Sequence, residues 1–438
     1  MKARFFELAA ALARELGAGE ILLCSFSGER SDFVRFNQGR VRQAGSVAQR
    51  FVSLRLVRER RQATAGITVA GSGDDLDALK EVLRRLRDAL AGLPEDPWLL
   101  VSETPRSTSS ERRGDLPPAE EIVQAVTGQA NALDLVGFYA GGTLYRGFAN
   151  SLGQRNWHEV DSFNFDWSLY REGDQAVKSG YAGFAWDEAI FRDKLASAVE
   201  QLGLLAKARK HIDPGEYRAY LAPRAMEELA GLLCWGGFSA RSRATKQSPL
   251  LRLHEGQVLS PKVSFSENTA QGVAPGFQAE GFVKPAAVAL IAAGKPAEVL
   301  VSPRSAKEYG LATNAANAGE SPGSLDMAAG ELASRDALGV LDTGLYVSNL
   351  WYLNFSDRPA GRITGMTRFA TFWVEGGRIV APVSPMRFDD SLYRMLGENL
   401  VDLTRERELL LDPSTYGERS TSSARLPGAL LRRLRFTL

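Results

Sequence analysis

The chain has 438 residues, of which 44% are hydrophobic and 24% are charged, and its formal net charge at pH 7 is +1. This composition excludes a fully disordered chain, and the balanced charge gives no general electrostatic reason to bind nucleic acid or an anionic membrane. The two cysteines, Cys24 and Cys234, cannot form a disulfide framework, which favours a reducing compartment. Charged residues interrupt the N-terminal apolar stretch and no run of 18 uncharged apolar residues occurs, so we expect a cytoplasmic protein without a membrane span.

The first part of the chain predicts a helix, several strands and a second helix. Apolar residues recur at helical spacing over 3–16 and over 74–91. Between these helices, the apolar pattern predicts strands at 20–26, 50–57 and 63–69. The sequence Asn37-Gln38-Gly39 predicts a hairpin turn. Residues 92–118 hold several prolines and a Ser/Thr cluster, which is typical of a linker.

A similar order of elements recurs after the linker. The predicted elements are a helix over 118–132, a hairpin that turns at Gly141-Gly142, a long strand at 157–170, a hairpin turn at 172–174 and a helix over 186–207. The similarity lies in the order of the elements and not in their residues, so it does not by itself establish an internal duplication.

From about residue 214 the pattern changes to short strands. A helix over 223–235 begins with proline, which suits a first helical turn, and one further helix is predicted at 389–402. Because turns rather than crossover helices join the strands, the predicted class is α+β: an N-terminal α/β half with two helix–strands–helix units and a β-rich C-terminal domain of antiparallel sheets. The predicted domains are an α/β unit at 1–95, a linker at 96–117, a second α/β unit at 118–212 and the β-rich domain at 213–438.

The three histidines, His158, His211 and His254, do not form a zinc-binding motif. None lies three to five residues from another, as two imidazoles on one helix face would require. The sequence also contains no G-x-S-x-G elbow and no phosphate-binding glycine motif. Cys24 alternates with the apolar residues of a strand and Cys234 lies near the end of a helix, so we expect both thiols to be buried and inert.

A row of polar residues lies on the predicted strand 157–170. Alternation places His158 on one face with Ser162, Asn164 and Asp166, opposite aromatic side chains. We favour the interpretation that this face is the wetter side of a half-buried sheet, and the alternative is the wall of a polar groove. An enzyme with an unrelated site, such as His158, Asp166 and a serine, also stays open.

Aromatic and amide side chains are concentrated in two predicted C-terminal strands, GLYVSNLWYLNF and TRFATFWV. Such side chains can line a groove in which an extended peptide adds to a sheet edge, although a sheet core is the favoured interpretation of the aromatic residues. The candidate peptide-binding residues are Asn349, Trp351, Asn354, Trp373, His158 and Asp166.

The C-terminal stretch NLWYLNFSDRPAGRITGMTRFATFWVEGGRIVAPVSPMRF resembles the late segment of the TldD/PmbA (TldE) family of metalloprotease-type proteins. FNQGRVRQAG, ANSLG, VLSPKVSF and GERSTSSARLPGALL resemble other segments of that family in the same order. The resemblance covers almost the whole chain, and the order of the segments is more specific than any one of them. It implies an α/β N-terminal half and a β-rich C-terminal half.

The resemblance also implies how zinc is held in TldD-type members: by an H-E-x-x-x-H helix that opens the C-terminal domain and by a later cysteine. The corresponding helix here, PRAMEELAGLLCWGG, contains no histidine, and no cysteine follows Cys234. Glu227 and Glu228 are interpreted as carboxylates that favour the start of this helix. We therefore expect no catalytic and no metal-binding residue in this chain.

The function that the resemblance implies is that of a non-catalytic, PmbA/TldE-like subunit in proteolysis or peptide maturation. Such a subunit binds no cofactor itself and pairs with a zinc-bearing TldD-type partner, which cleaves unfolded peptides. The alternative is a metal-free peptide-binding or scaffold homodimer.

Overall fold

The structure, a computed structural model, describes residues 1–437, and its N-terminal half is built around a seven-stranded sheet. The first unit consists of α1 (Lys2–Ala13), β1 (Ile21–Asn37), β2 (Arg40–Arg58), β3 (Arg61–Thr68) and α2 (Asp75–Leu90). The segment after it contains β4 (Thr108–Arg112). The second unit consists of α3 (Ala119–Gln129), β5 (Asp134–Asn150), β6 (Arg155–Tyr170), β7 (Ala176–Gly183) and α4 (Glu188–Leu204). Each unit is therefore a helix, three strands and a helix.

The two units share this sheet because β1 and β5 pair with each other in antiparallel orientation. The strand order is β3–β2–β1–β5–β6, and the far side of β6 is divided between two short strands. β4 pairs in parallel with residues 156–160, and β7 pairs in antiparallel orientation with residues 163–170. β4 lies within the segment that the sequence predicts as a linker, so part of that segment belongs to the sheet.

The predicted turn at Gly141-Gly142 is wrong, because β5 continues through both residues. A Cβ atom at Gly142 would lie 2.1 Å from the carbonyl oxygen of Arg30, and the backbone of Gly142 has a φ of 137°. Glycine at this position permits a close approach between β5 and β1. The turn at residues 37–39 is confirmed, since Gln38 and Gly39 join β1 to β2.

The C-terminal half is built around an eleven-stranded sheet. Its first elements are β8 (Gly215–Leu221), α5 (Pro223–Cys234), α6 (Ala240–Ala244), α7 (Leu251–His254), β9 (Phe265–Glu267), β10 (Val288–Ala292), β11 (Lys295–Pro296), α8 (Pro303–Tyr309) and β12 (Ser324–Met327). They are followed by α9 (Ala337–Leu341), β13 (Gly344–Asp357), β14 (Arg362–Glu375), β15 (Arg378–Pro382), β16 (Arg387–Ser391), α10 (Leu392–Met395), β17 (Leu400–Leu411) and β18 (Ser423–Phe436).

Five of these strands pair in a closed circuit, β8–β13–β14–β16–β18–β8. The pairs β8–β13 and β12–β18 are parallel, so the C-terminal sheet is mixed rather than purely antiparallel. The predicted α+β class, with an α/β N-terminal half and a β-rich C-terminal half, is confirmed.

The helix predicted at 389–402 is wrong. Only α10 is helical there, and the chain then enters β17, which pairs with β18. A Cβ atom at Gly397 would lie 2.1 Å from the carbonyl oxygen of Tyr393, so this glycine allows the chain to turn tightly after α10. Pairing with β18 outweighs the local preference for a helix.

Three large apolar clusters form the core. One lies between α1, α2 and the first three strands, and another surrounds α5 in the C-terminal half. The third packs α3 and α4 against the N-terminal sheet and also includes Ala370 and Phe372 of β14, so that the two halves share part of their core. Across residues 1–437, no helix is both long enough and apolar enough to cross a membrane.

Candidate functional site

Helix α5 follows β8, the first strand of the C-terminal half, and lies at the boundary with the N-terminal half. Pro223 occupies the start of this helix, where its fixed φ favours the first turn and its missing N–H costs no hydrogen bond. The apolar side of α5 packs against β13 and β18. Arg224, Glu227 and Glu228 follow one another at helical spacing on another side of the helix. The charged side of α5 is therefore available for contacts with the N-terminal half.

Arg224 joins α5 to the N-terminal sheet. Its Nη2 donates a hydrogen bond to Oδ1 of Asp166 on β6 at 2.8 Å, and its Nη1 donates to Oε2 of Glu227 at 3.2 Å. A Cβ atom at Gly180 of β7 would lie 2.0 Å from Nη2, so glycine leaves the room that the guanidinium occupies. The side chains of Arg224 and Asp166 are only 13% and 16% exposed. This contact is a largely buried ion pair between the two halves.

A cleft of about 200 Å³ lies beside this ion pair. Lys178 of β7 and Lys194 of α4 line one side, and the start of α5 together with Tyr346 and Glu408 lines the other. Nζ of Lys194 and Oε2 of Glu408 are 3.0 Å apart, which forms a second ion pair across the cleft. Burial, with a smaller contribution from Glu408, raises the pKa of Tyr346 to about 12, so its phenol stays protonated at neutral pH.

The cleft offers hydrogen-bonding groups and no activated nucleophile. Nε of Arg224 is buried and has no hydrogen-bond partner among residues 1–437, so one donor of this guanidinium is unsatisfied. Asp166 and Glu408 are each paired with a cation, and no histidine or cysteine is among the described residues that line the cleft. Polar and charged side chains therefore form most of the lining of the cleft.

The side chains of α5 do not fit a zinc ion. Zinc requires three or four histidine, cysteine or carboxylate ligands around one point. Burial raises the pKa of Glu227 and of Glu228, and Glu227 is already paired with Arg224. Within the described part of the chain, no group of three or more such side chains is placed to hold a metal ion.

Cys24 is buried as the sequence predicts, whereas Cys234 is only partly buried. Cys24 is 2% exposed, and burial raises the pKa of its thiol to about 12. Cys234 packs against the C-terminal core at the end of α5, and burial raises its pKa as well. Neither thiol is a thiolate at neutral pH, which is the form that binds metal or attacks a substrate.

The four C-terminal candidate residues occupy different environments and do not converge on one site. Asn349 is buried, and its Oδ1 accepts a hydrogen bond of 2.8 Å from Ser348, which lines the cleft. Trp351 is 49% exposed, and Asn354 is also exposed. Trp373 packs against the C-terminal core, and its Nε1 donates to Glu375 at 2.6 Å. Only Asn349 is next to a residue of the cleft.

His158 and Asp166 share a face of β6 but lie at different places along it. Eight residues of extended chain separate them by about 26 Å, so they cannot act on one substrate bond. Nε2 of His158 donates to the carbonyl oxygen of Val273 at 3.1 Å, which leaves Nδ1 to accept from the Ser110 hydroxyl at 2.8 Å. Burial lowers the pKa of His158 to about 4, so the imidazole is neutral at pH 7.

The polar face of β6 is partly exposed at Asp166, but it is buried from His158 to Asn164, where the prediction that it is the wetter side of the sheet is wrong. The reason is Arg419, which comes from the loop between β17 and β18 and is 4% exposed. Its Nη2 donates to the carbonyl oxygen and Oγ of Ser162 at 2.7 and 2.9 Å. Its Nη1 donates to the carbonyl oxygen of Gly142 at 3.1 Å and to Oγ of Ser31 at 3.3 Å. The C-terminal half therefore covers this face.

Sequence reasoning did not identify Arg224, Tyr346, Glu408 or Arg419. Arg224, Tyr346 and Arg419 lie in segments that stand out in the sequence for other reasons, but no spacing assigns these residues a role. Each of the four meets residues more than fifty positions away or on another element. The available signal was the polar row on β6, which predicts that a partner for these side chains must exist. The sequence does not say which residue provides it.

Comparisons with known proteins agree on one fold. The profile of the PmbA/TldA metallopeptidase C-terminal domain matches residues 214–438. The structure of this chain is similar to that of TldE from Thermococcus kodakarensis, with a TM-score of 0.81 and 15% identity. The match covers 99% of this chain and 100% of the other. No curated protein sequence matches this chain.

Two further solved structures are similar over the full chain. A protein of Thermotoga maritima MSB8, described as a proposed modulator of a DNA gyrase, has a TM-score of 0.77 and 15% identity, with 100% of both chains covered. A protein of Bacteroides thetaiotaomicron VPI-5482, described as a proposed modulator of DNA gyrase, has a TM-score of 0.76 and 15% identity, with 100% of this chain and 98% of the other covered. At this identity the similarity shows the fold alone.

Proposed function

The chain belongs to the PmbA/TldD metallopeptidase family, and on that premise we propose that it is a non-catalytic, TldE-like subunit of a peptide-processing complex. Its partner in this proposal is a TldD-type subunit that supplies zinc and cleaves unfolded peptides. The observation that carries the proposal is the side-chain composition of α5, where a metallopeptidase of this family would need zinc ligands and this chain has Arg224, Glu227 and Glu228.

The ion pair of Arg224 with Asp166 supports this proposal. A carboxylate that is buried against a guanidinium is poorly available to a metal ion, because the cation would have to displace Arg224. In this chain the ion pair holds the start of α5 against β6.

The cleft supports a role in binding peptide. Ser179, Ser197 and Gln201 line the cleft, and their hydroxyl and amide groups can hydrogen-bond to the backbone of an extended segment. Backbone contacts do not depend on the sequence of the bound segment, which suits a subunit that handles unfolded peptides.

The proposal is tested by metal content and peptidase activity. The chain is purified alone and together with a TldD-type subunit, and zinc is measured per chain by elemental mass spectrometry. Cleavage of a fluorogenic unfolded peptide is measured with and without a chelator. We expect far less than one zinc per chain and no cleavage by the chain alone, and chelator-sensitive cleavage by the pair.

A matched control replaces both helix carboxylates, Glu227→Gln with Glu228→Gln. This variant should leave the zinc content of the chain unchanged, because neither carboxylate is a ligand in the proposal. Stoichiometric zinc and chelator-sensitive cleavage by the chain alone would contradict the proposal. A chain that associates only with itself would favour the metal-free homodimer instead.

A further inference from the structure

The first half of β2 has one unpaired side. β1 pairs with β2 along almost its whole length, whereas β3 pairs only with residues 51–58. Residues 40–48 are exposed throughout. An open edge of this kind is commonly protected by proline or by charged side chains, yet residues 43–49 read QAGSVAQ and contain neither. This edge is free to pair with another strand.

The backbone groups that face the open side can be assigned. The N–H of Val69 donates to the carbonyl oxygen of Arg50 at 3.0 Å, so the carbonyl of Arg50 points towards the β3 side. Backbone groups alternate in direction along a strand, so Ala44, Ser46 and Ala48 direct their N–H and C=O groups to the same open side. These residues present a regular row of donors and acceptors.

A groove of about 370 Å³ lies beside this edge. Val47 and other odd-numbered residues of β2 line it, together with Phe33, Phe138 and a loop of the C-terminal half that includes Thr415 and Gly417. The rings of Phe33 and Phe138 stack at 5.9 Å and provide an apolar surface. A strand added at the open edge would direct alternate side chains to the face that contains the groove.

The β1–β2 hairpin is positively charged. Residues 28–50 contain five arginines and two carboxylates, although the whole chain is nearly neutral. Both carboxylates already accept hydrogen bonds within the hairpin: Glu29 from Ser31 and Gln49, and Asp32 from Ser46. The exposed arginines are Arg30, Arg35, Arg40 and Arg42. The charge around the open edge therefore complements an acidic ligand.

We propose that the open edge of β2 at residues 43–49 binds an extended acidic polypeptide segment as an added β-strand. Main-chain hydrogen bonds at Ala44, Ser46 and Ala48 supply the affinity, the arginines select acidic residues, and the groove accepts apolar ones. This inference goes beyond the proposed function, because it holds whether or not the chain pairs with a zinc-bearing subunit.

A second copy of this chain fits the same edge less well. Pairing of two copies at this edge would bring together two hairpins that carry the same excess of exposed arginines. Like charges directly opposite each other destabilise a strand pair. The charge pattern thus favours a different, acidic occupant.

The test measures binding of a labelled peptide to the full chain. Fluorescein-labelled (Val-Glu)4 is titrated by fluorescence anisotropy, with (Val-Lys)4 and fully N-methylated (Val-Glu)4 as comparison peptides. The protein variants are Ala48→Pro, which removes one outward N–H, and Ala48→Ser, which keeps it. Because the N–H of Ala48 points away from β1, the proline removes no hydrogen bond between β1 and β2.

We expect (Val-Glu)4 to bind at least about tenfold more tightly than either comparison peptide, and Ala48→Pro to weaken binding about tenfold while Ala48→Ser stays within about twofold. Equal binding of the acidic and basic peptides, or unchanged binding to a folded Ala48→Pro variant, would overturn the proposal. If Ala48→Pro does not fold, the N-methylated peptide decides, because it leaves the protein unaltered. Self-association that (Val-Glu)4 cannot displace would assign the edge to a second copy and would also overturn it.

Discussion

Two buried arginines join the halves of this molecule, and they are stabilised in different ways. Arg224 contacts two carboxylates, those of Asp166 and Glu227. Arg419 instead donates to carbonyl and hydroxyl oxygens of Ser162, Gly142 and Ser31. Burial disfavours both charges, but the two carboxylates outweigh it and raise the pKa of Arg224. Burial lowers the pKa of Arg419 to about 10.

The comparison shows that the halves are joined by opposite charges at Arg224 and by hydrogen bonds to neutral oxygen atoms at Arg419. Near α5, removing the cation leaves the carboxylates of Asp166 and Glu227, whose side chains are 16% and 31% exposed, without their ion pairs, which is costly for the more buried Asp166. Near Arg419, the groups that lose a direct hydrogen bond are neutral, and Glu29 and Asp161 act on the cation without contacting it directly. The two serine hydroxyls can turn to other partners. The two positions should therefore respond differently to the same substitution.

The largest expected effect is that of Arg224→Met compared with Arg419→Met. We expect Arg224→Met to lower the free energy of unfolding by about 3–5 kcal/mol, because it leaves buried carboxylates without their cation. Arg419→Met should lower it by about 1–3 kcal/mol, the cost of unsatisfied neutral acceptors. Urea unfolding at pH 7 measures both values.

The double variant Arg224→Met with Asp166→Asn provides the control. Removing both members of the ion pair should recover part of the stability that Arg224→Met loses, because the buried charge on Asp166 is then absent. A larger loss for Arg419→Met than for Arg224→Met, or no recovery in the double variant, would contradict the distinction between the two contacts.

The sequence predicts the secondary structure well where the pattern is local. Apolar residues at helical spacing locate α2 and α4, and the Asn37-Gln38-Gly39 turn locates the junction of β1 and β2. The pattern fails where distant contacts decide. The pair Gly141-Gly142 is typical of a turn. In the structure, Gly142 instead allows the backbone of β1, more than a hundred residues earlier in the chain, to lie close to β5.

The candidate site could be predicted only in part. The absence of zinc ligands on α5 is readable because ligand spacing on one helix is local, and the polar row on β6 is readable because strand alternation is local. The packing of the two halves decides which residues meet this row. Arg419 covers one part of it, and Arg224 pairs with Asp166. The periodicity of a single segment does not show which distant residue will contact it.

His158 provides a second, smaller test, because it is a buried titratable group that, like Arg419, has only neutral hydrogen-bond partners. The nearby charges that act on its pKa, Arg146 and Arg112, are cationic, so protonation on this face is unfavourable. Because burial lowers the pKa of His158 from 6.5 to about 4, its contribution to stability is complete above pH 6.5 and is lost as the pH falls towards 4. We expect a loss of about 2.5 kcal/mol between pH 7 and pH 4.5.

The control for that loss is His158→Gln, which cannot gain a proton. This variant should be less stable than the original chain at pH 7, since it loses hydrogen bonds, and the difference between the two proteins should shrink as the pH falls to 4.5. Urea unfolding at each pH gives the difference. A difference that is independent of pH would show that the imidazole is accessible to solvent and protonates freely.

The smallest expected effect concerns a third arginine, Arg368, which stacks on the exposed ring of Trp351 instead of being buried between the halves. The guanidinium of Arg368 lies 5.0 Å from the ring centre of Trp351, and that ring is 49% exposed. Such an exposed stack contributes about 0.5–1 kcal/mol, so Trp351→Ala should change the free energy of unfolding by no more than about 1 kcal/mol. If Trp351 binds peptide, as the sequence predicts, the same variant should weaken peptide capture severalfold.

The matched control is Trp373→Ala. Because Trp373 packs against the core, this variant should lose more stability than Trp351→Ala. Equal losses of stability in the two variants would mean that Trp351 serves the core rather than a ligand.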